Sequence, residues 1–207
     1  MFKNSTSSIK KLLIFAAMGI LLTVCSCATD APRDGKAVEF PPGSPEAISR
    51  SYLEMLKQKQ WAKIADLYDP KALSDFREMM SFILEVPDET APKVLPSLFG
   101  PGSTKESIKS MSDLQFFSSF LQGITAQAAQ LGQLDFKKID ILGSVPEGDS
   151  LKHVVTRTYA SIGDIDMEAM EVVSFRKTDD KWRILMQGRM KGMAQHLKNA
   201  LKQKAAK

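Results

Sequence analysis

Residues Ser150–Lys177 read SLKHVVTRTYASIGDIDMEAMEVVSFRK. On both sides of Gly163-Asp164 polarity alternates with a period of two and β-branched residues are frequent, the pattern of two half-buried strands. A two-residue joint makes them a hairpin, because parallel strands need a crossover of a dozen residues or more. With that turn, residues whose numbers add to 327 face each other, so Thr156 lies opposite Glu171 and Thr158 opposite Ala169. One face then holds Val154, Thr156, Thr158, Met167, Ala169, Glu171, Val173 and Phe175. The other holds His153, Val155, Arg157, Tyr159, Glu168, Met170 and Ser174. The first composition is that of a core face and the second of a surface meeting water or a partner; a one-residue slip would exchange them.

On either side of the hairpin, FKKIDILGSV (136–145) and KWRILMQGR (181–189) have the same twofold character, and the core face gains Trp182, Ile184 and Met186 from the last strand. The joints Glu147-Gly148-Asp149 and Thr178-Asp179-Asp180-Lys181 are turn chemistry, so four strands form an antiparallel meander. Upstream the period is helical. Ser44-Pro45-Glu46 supplies a hydroxyl cap, a proline at the first helical position and an acid facing the positive end of the dipole. Ile48, Tyr52, Met55 and Leu56, then Trp61, Ile64, Ala65 and Tyr68, then Leu73, Phe76, Met80 and Ile83 after Asp69-Pro70, keep helical spacing over three short helices. Pro87–Gly102 carries four of the ten prolines, with Val94, Leu95, Leu98 and Phe99 packed as a short turn of helix. Ser103 with Glu106 reads as a capping box opening one long helix whose stripe runs from Ile108 through Met111, Leu114, Phe117 and Leu121 to Leu131. Helices followed by a meander are α+β: N-terminal helices packed on a curved antiparallel sheet.

The chain begins with Lys3, Lys10 and Lys11 and no acid, followed by the apolar run LLIFAAMGILLTV (12–24). This is an export signal in length and charge. Val24-Cys25-Ser26-Cys27 resembles the lipobox of bacterial lipoproteins, with a branched residue three before and a small residue one before Cys27. Cys25 fits less well because Val24 would precede it; an ordinary secretory signal or a short uncleaved anchor are the alternatives. The resemblance implies cleavage after residue 26 and lipidation of Cys27. Ala28, where an Asp would retain such a lipoprotein at the inner membrane, implies the periplasmic face of the outer membrane. Removing 26 of 207 residues, three lysines among them, leaves 181 and lowers the formal net charge from +4 to +1. That removes the electrostatic basis for nucleic-acid binding. Residues 27–43, rich in Pro, Gly and charge, read as a flexible tether, 44–190 as the folded domain, and 191–207 as a basic amphipathic tail with Met193, Leu197 and Leu201 at helical spacing.

The opening SPEAISRSYLEMLKQKQWAKIADLYDP (44–70), followed by helices and then a meander, resembles the nuclear-transport-factor-2-like superfamily, in particular its small bacterial lipoprotein members. The resemblance covers about residues 44–190. It implies a cone in which helices close one end of a curved sheet around a hydrophobic hollow, a frame shared by isomerases, dehydratases, ligand-binding proteins and non-enzymatic modules. Members that are enzymes use a cavity carboxylate as a base, and Glu171 is the acid that the register puts on the core face. Glu171 is therefore either a base or ligand anchor, or a strand-end carboxylate reaching solvent or a lysine.

The candidate pocket comprises Thr156, Thr158, Glu171, Trp182 and Met186. His153 and His196 lie on different elements without ligand-spaced acids, and no phosphate loop, nucleophile elbow or zinc motif is present, so no catalytic residue, metal or cofactor is expected. The eleven methionines are ordinary core filling. The expected function is an envelope lipoprotein whose domain binds a small apolar ligand or an envelope protein without catalysis. A cavity enzyme doing proton transfer or dehydration around Glu171, and a structural protein forming a homodimer through its sheet, are the alternatives.

Overall fold

The computed structural model describes residues 39–205 apart from 131 and 187, and the side chains of 189 and 202–205 are also left undescribed. The signal segment, Cys27, most of the tether and Leu131 lie outside the described residues. The fold is α+β. Among the described residues seven α-helices, α1 (Pro45–Lys57), α2 (Trp61–Asp66), α3 (Pro70–Met79), α4 (Ala91–Phe99), α5 (Lys105–Ser110), α6 (Asp113–Ala128) and α7 (Gly188–Ala205), and a short 3-10 helix (Ser81–Glu85) accompany four strands. The strands β1 (Leu134–Glu147), β2 (Leu151–Ile162), β3 (Ile165–Thr178) and β4 (Lys181–Ile184) form one antiparallel sheet in chain order.

The hairpin register agrees with the alternation in the sequence: Thr156 faces Glu171 and Thr158 faces Ala169. Gly163 takes φ +57 at the first turn position while Asp164 is not left-handed, the geometry of a type II′ turn. Asp179 and Asp180 are both left-handed, φ 49 and 59, which makes the β3–β4 joint type I′. Val154, Phe175 and Ile184 are buried in the main core with Phe76, Phe117 and Phe120 of the helical layer. β1 carries register shifts between Phe136 and Lys138 and between Ile141 and Gly143, bulges that bend this edge strand.

Helix starts follow local chemistry. Ser44 accepts from the Ala47 N–H and Asp69 from the Lys71 N–H, each followed by proline. The expected single helix from Ser103 is instead two. Its cap is Thr104, reciprocated by Ser107, and Ser112 with Gln115 forms a second capping box that ends the continuity. The apolar spacing of Ile108, Met111 and Leu114 runs through the break, which is why periodicity does not reveal it. The Arg77 guanidinium of α3 donates to the Met111 and Ile108 carbonyls and to that of Lys109 at 2.8 Å, and pairs with Asp113 at 3.3 Å. It thus caps the carbonyl end of α5, where of these three only the Ile108 carbonyl also accepts from a backbone N–H, that of Met111. The Pro-rich segment forms a full nine-residue helix, α4, rather than one turn.

The basic tail belongs to a helix that begins at Gly188 and buries Met190, Met193, Ala194, Leu197 and Ala200 on the domain. Its apolar stripe is spent on the protein's own core.

Candidate functional site

A hollow of about 150 Å³ lies between the helices and the inner face of the sheet. Its walls are Tyr52 and Leu56 of α1, Trp61 of α2, Ile124 of α6, and Phe136 and Ile139 of β1, among others. The floor is the twofold pattern of β2 and β3, which brings Thr156, Thr158, Ala169, Glu171 and Val173 to one side. Thr156 is 1% exposed and sits directly across from Glu171, so a hydroxyl and a carboxylate face each other on the floor, with Thr158 the next residue along β2 on that face. Of the lining hydroxyls, Ser49 donates to the Pro45 carbonyl and Thr125 to that of Leu121, both at 2.8 Å. Tyr68, buried in the main core and bordering the hollow, stands edge-on to Phe117 with ring centres 4.7 Å apart.

Thr156, Thr158 and Glu171 thus share one hollow, whereas Trp182 and Met186 do not line it. β4 has only four residues and pairs beyond β3, so Trp182 packs half-buried against the main core. Met186 follows the strand end and lines a separate surface crevice between α3 and α7. From β4 it is Ile184 that reaches the hollow. Tyr52 and Trp61, which do line it, read in the sequence as apolar-face residues of amphipathic helices. Nothing in their spacing separates a residue that fills the core from one that borders a void.

The wall formed by α1 is fastened by a buried charge. Glu46, 6% exposed, receives the Lys152 ammonium at 2.7 Å and the Ser144 hydroxyl at 2.6 Å. Burial pushes its carboxyl pKa up, but the hydrogen bonds from Lys152, Ser144 and its own backbone N–H, with the Lys152 charge, outweigh that and hold it below the ordinary value.

On the opposite face of the sheet His153 bridges Ser174, at 2.9 Å, and Glu147, at 2.8 Å. This tie between strands lies outside the hollow, with the carboxylate exposed. Among the described residues no group of three or more His, Cys, Asp or Glu could hold a metal ion, and no helix is long and apolar enough to cross a membrane.

No protein-family model and no curated protein matches the chain. A solved structure that matches is the solution structure of a SEC-C motif containing protein from Rhodopseudomonas palustris, 19% identical, covering 69% of this chain and 76% of that one with a TM-score of 0.39. The nuclear-transport-factor-2-like expectation is corrected: no family model supports the superfamily, and the described sheet is a four-stranded antiparallel meander in chain order, accompanied by helices. The physical reason is visible in the residues that carried the resemblance. Ser44-Pro45 and Asp69-Pro70 are helix caps followed by proline, a local device open to any fold that starts a helix there.

Proposed function

We propose that this domain is a non-catalytic binding module of the cell envelope, tethered through Cys27 and taking one small, mostly apolar molecule into the hollow. The observation that carries the reading is the pairing of size with lining: about 150 Å³, apolar walls, and Thr156 and Glu171 opposite each other on the floor. A cavity of about this volume accommodates a single aromatic ring, and a few convergent polar groups in an apolar site orient a ligand rather than hold it by charge. The fitting ligand is therefore ring-sized and carries one hydrogen-bond donor for Glu171. Lipid at Cys27, with residues 27–43 as the tether, concentrates the module at the membrane, where modest affinity suffices.

The test uses the full chain with phenol and benzylamine as donor-bearing probes and toluene as the donor-free control, read by the thermal midpoint. Donor-bearing rings should stabilise more than toluene, Glu171→Gln and Thr156→Val should narrow that difference, and the space-filling Ala128→Leu should abolish the response. Equal behaviour of all probes, or an unchanged response in the filled variant, refutes the reading. A cavity enzyme is the second reading, favoured by the carboxylate inside an apolar hollow. It requires turnover of a ring-sized substrate that Glu171→Gln removes without loss of binding. Attachment has its own check: mass spectrometry of the mature amino terminus should find lipid on Cys27, and none after Cys27→Ser.

A further inference from the structure

The face of the sheet turned away from the helices carries apolar surface that solvation does not explain. Val145 (60% exposed), Met170 (62%) and Val172 (55%) stand out among large hydrophobic residues, and Leu142 joins them in the β1 bulge opposite Val155. Val155 pairs directly with Val172, and its strand neighbour Arg157 pairs with Met170, so these side chains form one strip across β1, β2 and β3 rather than scattered single residues. Polar contacts border the strip: a hydrogen bond between Glu147 and His153 at 2.8 Å, and ion pairs of Lys138 with Asp140 and of Arg157 with Glu168, both at 3.0 Å. An apolar centre inside a polar rim is the anatomy of a protein interface.

We propose that this face is covered by the same face of a second copy of the chain. Size favours this occupant. Three strands of 12 to 14 residues at about 3.4 Å per residue span about 40 Å, and at about 4.8 Å spacing, with the four-residue β4 beside them, they give a face of roughly 600 Å². That is about three quarters of the roughly 800 Å² each partner contributes to a standard interface. Charge favours it too. The pairs Lys138–Asp140 and Arg157–Glu168 each offer both signs side by side, so two copies meet there without net repulsion, whereas a strongly acidic or basic partner would find half of each pair mismatched. Two sheets stacked this way lie about 10 Å apart, as in a sandwich. The hollow opens on the other side of the sheet, so pairing is independent of ligand binding.

The experiment is sedimentation equilibrium of the full chain in density-matched detergent. The parent should show a mass that rises with concentration toward a dimer. Val172→Glu, which sets carboxylates against each other across the apolar strip, should weaken association about a hundredfold or more, while Lys109→Glu on α5 should leave it unchanged. Unchanged circular dichroism in Val172→Glu separates lost pairing from misfolding, and Met170→Glu serves as the second variant should the first not fold. In intact cells, oxidation of Val172→Cys should give a band at twice the monomer mass. A monomer at all concentrations, association that survives both substitutions, or a cross-linked band at another mass, which would assign the face to a different protein, overturns the proposal.

Discussion

Gly123, in the middle of α6, lies against the backbone of α4. A Cβ built there would stand 2.1 Å from the Leu98 carbonyl oxygen, 2.4 Å from its carbon and 3.0 Å from the Phe99 nitrogen. Replacing it by alanine sets two effects against each other. Alanine in a helix interior is better than glycine by about 1 kcal/mol, which alone would stabilise the protein. The obstruction, however, is main chain and cannot rotate aside. To reach ordinary contact the helices must part by more than an ångström, and the shift would disturb Phe99, whose ring centre lies 4.8 Å from that of Phe116 and 5.9 Å from that of Phe120. Overpacking typically costs about 1–3 kcal/mol, and a rigid obstacle belongs at or beyond the upper end. The loss of well-placed aromatic contacts adds about 0.5–1.5 kcal/mol for each pair. Gly123→Ala should therefore destabilise by about 2 kcal/mol or more, seen in urea titration as a lower midpoint at unchanged slope. Gly192 of α7 is the internal control, since a Cβ there meets nothing within 4 Å. Gly192→Ala should stabilise by up to about 1 kcal/mol. If both substitutions stabilise alike, the close approach of α4 and α6 is wrong.

Three further outcomes follow from named contacts. Glu46→Ala should cost about 1–3 kcal/mol at neutral pH by breaking charged hydrogen bonds of a buried group. Because the folded-state pKa is below the ordinary value of 4.5, that contribution is complete above the unfolded-state pKa and is lost as the pH falls through the folded one. The gap between parent and variant should thus be flat near neutrality and close in acid; a gap that widens in acid would refute the assignment. Arg77→Lys should be nearly as damaging as Arg77→Ala, about 1–3 kcal/mol by thermal unfolding, because an ammonium cannot span the carbonyls the planar guanidinium reaches; full rescue by lysine would refute the capping role. Asp180→Gly should stabilise by about 0.5–1 kcal/mol, since glycine adopts the left-handed conformation of a type I′ turn without penalty, and a lower urea midpoint would contradict that turn geometry.

The hairpin was legible because both of its determinants are local: a two-residue joint sets the register, and a side-chain period of two then assigns every residue to a face. The same locality made Ser44 and Asp69 readable as helix caps, and also made them poor witnesses to ancestry. The break at Ser112 was not legible, because the apolar stripe continues across it and the residue that caps the carbonyl end of α5, Arg77, is far away in the chain. Thr156 and Glu171 could be set opposite each other from numbering alone, but whether the space above them is filled depends on how closely α1, α2 and α6 approach the sheet. Trp182 and Met186 share the sequence pattern of the floor residues yet fall outside the hollow, because strand length and position across the sheet, rather than alternation, decide reach.

By itself, then, the sequence determined the α+β class, the hairpin register, the two faces of the meander and the caps that start the first helices, since each follows from interactions within a few residues or across one tight turn. Only the tertiary structure decided the volume of the hollow, the burial of the basic tail's apolar stripe, the contact at Gly123 and the reach of Arg77. These are distances between elements remote in the chain, and no local period encodes them.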